Sequence, residues 1–580
     1  MATIPRWDLT PIYPALSSEQ FKTDLKEVVL LANKLEKDLL SPSCNIVEAV
    51  YAYERILDYL ENLSAYSSCL LTTETGNPDF LKAVNQVEEE ALVVQRLEVS
   101  FLNFLKKHEM EVHFLTKEGE PLFSYRYVLS ELLEEQEHLM EPELENLASD
   151  LARSGSDAFS RLQEAISSSA TSEEGSESKT VVQLRNEAFH EDRDVRKAAF
   201  ERELSVWKTH EVAFAASLNG VKGTTLTLDK ARGYESPLDR ALKQSRIEPK
   251  VLTALITTLE KNLPMFRGYL KAKAKALALE SCAFYDLFAP VGTGGKNYTF
   301  PEARSFIIRQ FSLFSEDMGI FAEKAFSNNW IDAEPRKGKV GGAYDTSFPL
   351  AQQSRILSNF DGSFNALSTL AHELGHAYHD SVVLSQSNLL RSYPMTLAET
   401  ASIFSEYVVF QGAISACSSD ERLTLIEHFL QDTTQVCVDI LSRFYFESAV
   451  FEKRAEGELV ADELSALMVE AQKRSYGDAL SVYHPYMWAV KGHYYSSDLS
   501  FYNYPYAFGQ LFALGLYAQK EKDGPIFAAK YRSLLEKTGS ASAQEVALIL
   551  DCDITSEKFW QEGMDIIASY AQEFAHASEY

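Results

Sequence analysis

The sequence predicts a mainly α-helical protein carrying one small β-sheet. Apolar residues recur at spacings of three and four along most of the 580 residues, whereas residues 283–362 are rich in Gly, aromatics and short β-prone runs. Helical spacing resumes at residue 363 and continues to the end. A chain of this length buries a large core, and a two-lobed arrangement with a cleft is expected.

The first helix shows the pattern plainly. Phe21, Leu25, Val28, Val29, Ala32, Leu35 and Leu39 form one apolar stripe, while Lys22, Asp24, Lys26, Glu27, Lys34 and Glu36 take the opposite face. Similar stripes occupy residues 48–65, 81–107, 126–152, 182–220 and 248–279. Residues 167–178 are polar and Ser-rich and read as a surface loop. The stretches AFYDLFAPVGTGGKNYTF and GKVGGAYDTSFPLAQQSRILSNFDG then read as strands and turns, a small sheet preceding the helix that begins near residue 363. At the end, Thr555 or Ser556 is placed to cap a helix carrying Phe559, Trp560, Met564, Ile567 and Tyr570.

Composition excludes several classes. Apolar residues make up 46% and charged residues 24%, which is the balance of a folded globular chain. The 55 basic against 84 acidic residues give a net charge of −29, which repels nucleic acid and anionic lipid. The start has no basic n-region followed by an apolar h-region, and no later stretch has a membrane span's length of apolar residues. Cytoplasmic residence, without a nucleic-acid or membrane partner, is the expectation. Cys44, Cys69, Cys282, Cys417, Cys437 and Cys552 lack C-x-x-C spacing, so they read as reduced thiols rather than a disulfide frame or a zinc ribbon.

The segment TLAHELGHAYHD, residues 369–380, carries chemistry. On a helix, His372 and His376 lie one turn apart on one face and can direct imidazole nitrogens at a single ion. Glu373, between them, is the residue type that takes a proton from an attacking water. A chain of this composition would show roughly 0.02 such His-Glu-x-x-His matches by coincidence. The extended metzincin pattern requires Gly and His where this chain has His379 and Val382, so that class is excluded. Downstream, PMTLAETASIFSEYVVF places Glu399 and Glu406 seven residues apart, hence on roughly one helix face. Glu399 is the expected third metal ligand. Glu406 is expected either to accept a hydrogen bond from a ligand histidine or to serve packing.

A second cluster lies in KGHYYSSDLSFYNYPYAFGQL. His493, Tyr494, Tyr495, Tyr502, Tyr504 and Tyr506 crowd there, and a tyrosine hydroxyl or imidazole N–H can stabilise the oxyanion of amide hydrolysis. Aromatic packing is the competing explanation.

Taken together, TLAHELGHAYH, LAETASIFSE and FYNYPYAFG resemble the oligoendopeptidase F type of M3 zinc metallopeptidases, related to thimet oligopeptidase and neurolysin. Weaker similarities lie in WDLTPIYP, ARGYESPL, YDLFAP and GGAYDTSFP, and EKFWQEGMDIIASY is similar to the family's closing helix. The resemblance implies a helical protein around a deep substrate channel, with one zinc per chain at its floor and short, unfolded peptides as substrates. It implies His372, His376 and Glu399 as ligands, Glu373 as base, and His493 with Tyr506 and Tyr502 as transition-state donors. The interval between His493 and the tyrosine segment is longer than the family's, which bears on the individual tyrosines. The implied division is an N-terminal helical region over 1–110, an oligoendopeptidase F-like helical subdomain over 111–195 and a catalytic domain over 196–580.

Upstream, SRILSNF is expected to form an edge strand able to pair with an extended peptide. Gly341 and Gly342 would let a neighbouring loop approach it, and Ala343, Tyr344 and, further along, Tyr504 are candidate substrate contacts. Two other functions fit parts of the pattern. A gluzincin aminopeptidase would place its third-ligand Glu nearer the motif, and this chain lacks a G-x-M-E-N-like segment to hold a free amine. A non-enzymatic peptide-binding scaffold would close a structural zinc with four protein ligands.

Overall fold

The structure, a computed structural model, describes residues 4–174, 177–292 and 296–578. It is mainly α-helical, with one two-stranded and one three-stranded sheet among those residues. No helix of the described residues is long and apolar enough to cross a membrane. The chain divides into two compact units, each assembled from three separate stretches.

One unit takes its residues from 1–137, 295–416 and 519–552. Its first three long helices, Glu19–Leu39, Ile46–Thr73 and Pro78–Lys107, are capped by Ser18, Asn45 and Asn77, whose side chains accept backbone N–H groups of the first turn. The stripe from Phe21 to Leu39 is buried, apart from Val29, which is half-exposed. Val28, Leu63, Leu97 and Phe101 are fully buried in one cluster that Phe348 and Leu390 also enter. Tyr53 stacks on Phe101 with centroids 4.3 Å apart. Each such side chain contributes about 1.5–3 kcal/mol of burial.

The sheet of this unit consists of Ile331–Asp332 (β1), Tyr344–Phe348 (β2) and Gln353–Leu357 (β3). The spatial order is β1-β3-β2, with β1 parallel and β2 antiparallel to β3. The expectation for SRILSNF is therefore corrected, because β3 is central and not an edge. Its residues Ser354, Arg355, Ile356 and Leu357 are all buried, as suits a strand covered on both sides, while β2 is half-exposed until Phe348 and forms an edge. The sheet is also narrower than residues 283–362 suggested. Helices Phe300–Phe314 and Glu316–Ser327 interrupt that region, the first opened by a capping box of Thr299 and Glu302. Part of the GTGGKN turn lies outside the described residues. Beyond the sheet follow the helices Phe364–Val383 (α1) and Met395–Ala416 (α2).

The other unit takes its residues from 138–294, 417–518 and 553–580. Its longest helix, Arg193–Ala231, buries Glu203, which accepts from Arg185 at 2.8 Å and from the Trp207 indole at 3.0 Å. The helix Ser419–Thr434 runs through one π-helical turn, Gln435–Asp439, into Ile440–Arg454 (α3), and Tyr504 opens the helix Tyr504–Asp523 (α4). Ser556, rather than Thr555, caps the closing helix Glu557–Ala577, where Phe559, Trp560, Met564, Ile567 and Tyr570 are buried.

Two local expectations change. The Ser-rich segment is not a plain loop: Ser156–Ser169 is helical, and Thr171–Glu174 pairs antiparallel with Glu177–Thr180, residues 175–176 lying outside the described set. The stripe over 126–152 is two helices, Arg126–Glu137 and Pro142–Ser154, because Pro142 starts a helix and cannot continue one.

Candidate metal centre

Ser363 starts α1 by accepting the Ala366 N–H at 3.1 Å. Leu367, Leu370, Ala371 and Leu374 bury the helix, which leaves His372 and His376 on one half-buried face. Gly375 shapes what faces them. A Cβ at that position would lie 2.6 Å from the Ala401 carbonyl oxygen and 2.7 Å from the Ser402 Cα, so only glycine admits α2 this close. The contact brings Glu399 and Glu406, on one face of α2, against the histidines.

Three ligand atoms converge there. His372 Nε2 and His376 Nε2 are 3.2 Å apart, and Glu399 Oε2 lies 3.3 Å from the first and 3.5 Å from the second. Donors around a tetrahedral zinc at its ordinary bond lengths sit about 3.3 Å from one another, so the set has the spacing of a metal centre. It is the one group of this kind among the described residues. Ser402 donates to Glu399 Oε2 at 2.8 Å, which holds the carboxylate in place. Glu406 hydrogen-bonds His372 Nδ1. A carboxylate on Nδ1 keeps the proton there and leaves the Nε2 lone pair for an ion.

The electrostatics favour positive charge in this space. Burial disfavours the charged form of His372, yet the Glu406 and Glu399 carboxylates outweigh it and raise its pKa well above the usual imidazole range. Burial alone would raise Glu399, but its hydrogen bonds to His372 and His376 hold it well below the usual carboxylate range. Glu373 is 6% exposed on the same helix, and burial raises it, only partly offset by His372 and His376. A raised carboxyl is the proton acceptor that general-base chemistry near neutral pH requires.

Asp345 of β2 and Asp380 of α1, both half-buried, face each other near Glu373. Burial, followed by the charges of Asp380 and Glu373, pushes Asp345 well up. Tyr393 donates to Asp380 Oδ1 at 3.0 Å and stacks on His379 with centroids 4.2 Å apart. His379, fully buried and 2.8 Å from the Thr538 hydroxyl, is a core residue and takes no part in the ligand set.

The second cluster belongs to the other unit. His493 Nδ1 lies 3.3 Å from Asn503 Nδ2, and the ring stacks on Tyr502 with centroids 5.7 Å apart. Tyr506 donates to the Tyr502 hydroxyl at 2.8 Å. Burial, then the charges of Arg443, Lys491 and Lys222, lower the His493 pKa to about 2, which favours the neutral ring. Tyr494 and Tyr495 are fully buried. Tyr504 is 1% exposed and donates to Ser245 Oγ at 2.8 Å, so its assignment as a substrate contact is withdrawn.

Ala343 and Tyr344 lead into β2, where both are half-buried. The Tyr344 hydroxyl is 2.6 Å from Thr72 Oγ1, which commits the side chain. Gly342 has φ +78°, and a Cβ at Gly341 or Gly342 would meet no atom of the described residues within 4 Å. Asn359 steadies this loop by donating to the carbonyls of Val340 and Gly342 at 3.1 and 2.9 Å. Asp345, Asp380, Arg443 and Asn503 carried no signal that singled them out in the sequence. Asp345, Asp380 and Asn503 stood within quoted segments without being distinguished from their neighbours, and Arg443 stood in none.

Known proteins match this chain along most of its length. The family model described as peptidase family M3 matches residues 188–566, and the one described as oligopeptidase F matches residues 105–171. Oligopeptidase PepF of Bacillus subtilis (strain 168) is 26% identical over 568 residues, 95% of this chain and 84% of that protein. Among solved structures, a Chlamydophila abortus protein superposes with a TM-score of 0.84 at 22% identity, covering 98% of each chain. Oligoendopeptidase-F from Enterococcus faecium gives 0.70 at 18% identity, covering 96% of this chain and 98% of its own. These two share the fold. Because the family model spans well over half of the 580 residues, the chain belongs to peptidase family M3.

Proposed function

We propose that the protein is a zinc-dependent endopeptidase that hydrolyses internal bonds of short, unfolded peptides in the cytoplasm. The observation that carries this reading is the convergence of His372, His376 and Glu399 at 3.2–3.5 Å, with Glu373 beside the first histidine on the same helix. His372, His376 and Glu399 would hold the ion, and Glu406 orients His372. A zinc bound there supplies Lewis acidity toward the scissile carbonyl and the attacking water. Glu373 takes the proton of that water and returns it to the leaving amine. His493, Tyr502 and Tyr506 are assigned as donors to the developing oxyanion. The Ala343–Tyr344 backbone, entering the edge strand, is assigned to pair with the extended peptide and give affinity without strict side-chain choice.

One experiment tests the reading. Purified protein should contain about one zinc per chain and cleave an N-acetylated, internally quenched peptide, with chelator abolishing turnover and zinc restoring it. An aminopeptidase would leave the blocked peptide intact. Zinc retention without cleavage of a varied peptide pool would instead indicate the scaffold.

A further inference from the structure

His493 is anchored at one nitrogen only. Asn503 Nδ2 lies 3.3 Å from its Nδ1, while its Nε2 is buried and has no partner among the described residues. Asn503 is 2% exposed, so water does not decide which way its amide points. Arg443 decides it. The Arg443 guanidinium donates through Nη1 to Asn503 Oδ1 at 3.2 Å. A guanidinium has no acceptor, so the amide oxygen must face Arg443 and the NH₂ must face the imidazole.

Arg443 is itself fixed. It is 7% exposed and ion-paired with Asp439, one turn earlier, and the second Asp439 oxygen accepts from the Tyr476 hydroxyl at 3.3 Å. Asp439 is the last residue of the π-helical turn before α3. Such turns are often found where a helix must aim a functional side chain.

An NH₂ group can only donate, so Nδ1 of His493 must present its lone pair. The one proton of the neutral ring then resides on Nε2, the atom without a partner among the described residues. We propose that Asn503 is a positioning residue that holds His493 in the Nε2–H tautomer, its amide orientation selected by the Arg443–Asp439 pair. This rests on the assignment of His493 as an oxyanion donor and explains it, since a donor needs its hydrogen on the open nitrogen.

Asn503→Asp separates this role from packing. The substitution keeps the shape and the Arg443 partner, but a carboxylate accepts from both neighbours and calls for a proton on Nδ1 of His493. Nitrogen chemical shifts of protein labelled with nitrogen-15 histidine, with the His493 signal assigned by its loss in His493→Gln, read the tautomer directly. The parent should show protonated Nε2 and bare Nδ1, and Asn503→Asp should show protonated Nδ1. In the same variant kcat should fall about 10²- to 10⁴-fold with KM little changed, as expected when a donor is held in the wrong tautomer. Protonated Nδ1 in the parent, which needs no variant, or an unchanged tautomer in Asn503→Asp overturns the proposal whatever the kinetics. A switched tautomer with kcat unchanged supports the positioning role and overturns the donor assignment of His493.

Discussion

Gly375 faces Ala401 so closely that a Cβ would stand 2.6 Å from the carbonyl oxygen of Ala401. The motif helix and the helix bearing Glu399 can touch at that point because no side chain stands between them. Their separation therefore sets the distance from Glu399 to the two histidines.

Gly375→Ala should cost about 1–3 kcal/mol of stability by overpacking and weaken metal binding by pushing α2 away. Gly341→Ala, in open space on the loop before β2, should stay within about 0.5 kcal/mol of the parent. Thermal unfolding with metal analysis of both variants checks the pair. Equal behaviour would mean that helix separation does not govern the site.

Glu373→Gln should lower kcat by about 10²- to 10⁴-fold and leave zinc content unchanged, since Glu373 is not among the three converging donors. A variant cleaving peptide at the parental rate would remove Glu373 from the role of base.

Glu406→Gln should reduce zinc affinity about 10- to 100-fold, because the amide no longer fixes the proton on His372 Nδ1. Competition against a chelator of known affinity measures it. Glu399→Ala should lose more, as it removes a donor atom and not merely its support.

Glu203 should make stability fall in acid. Burial raises its carboxyl, but His484, Arg185 and the Trp207 indole outweigh this and lower the pKa to about 2 from 4.5. Because the folded value is the lower one, the stabilisation is complete above pH 4.5 and is lost as pH falls through 2. Its size is about 3 kcal/mol. Glu203→Gln should therefore be clearly less stable than the parent at neutral pH, and the gap should narrow between pH 4.5 and 2. A gap constant with pH would show that packing, not charge, is lost.

The sequence by itself determined whatever depends on local helical geometry. His372 and His376 share a face because four residues make about one turn, and Glu399 and Glu406 share another because seven make about two. The amphipathic stripe from Phe21 to Leu39 and the closing helix with Trp560 were legible for the same reason. Tertiary structure decided what depends on residues distant along the chain. Periodicity marks Gln353–Leu357 as a strand but not which neighbours flank it, and pairing with both β1 and β2 made it central. Five tyrosines and a histidine look interchangeable in one segment until packing sends Tyr504 to Ser245 and leaves Tyr502 and Tyr506 bonded to each other beside His493. Arg443, 60 residues before Asn503, turns an amide that in turn sets a proton on His493. Contacts of that kind leave no spacing to read, because the chain between the partners is free to take any path until the core closes around it.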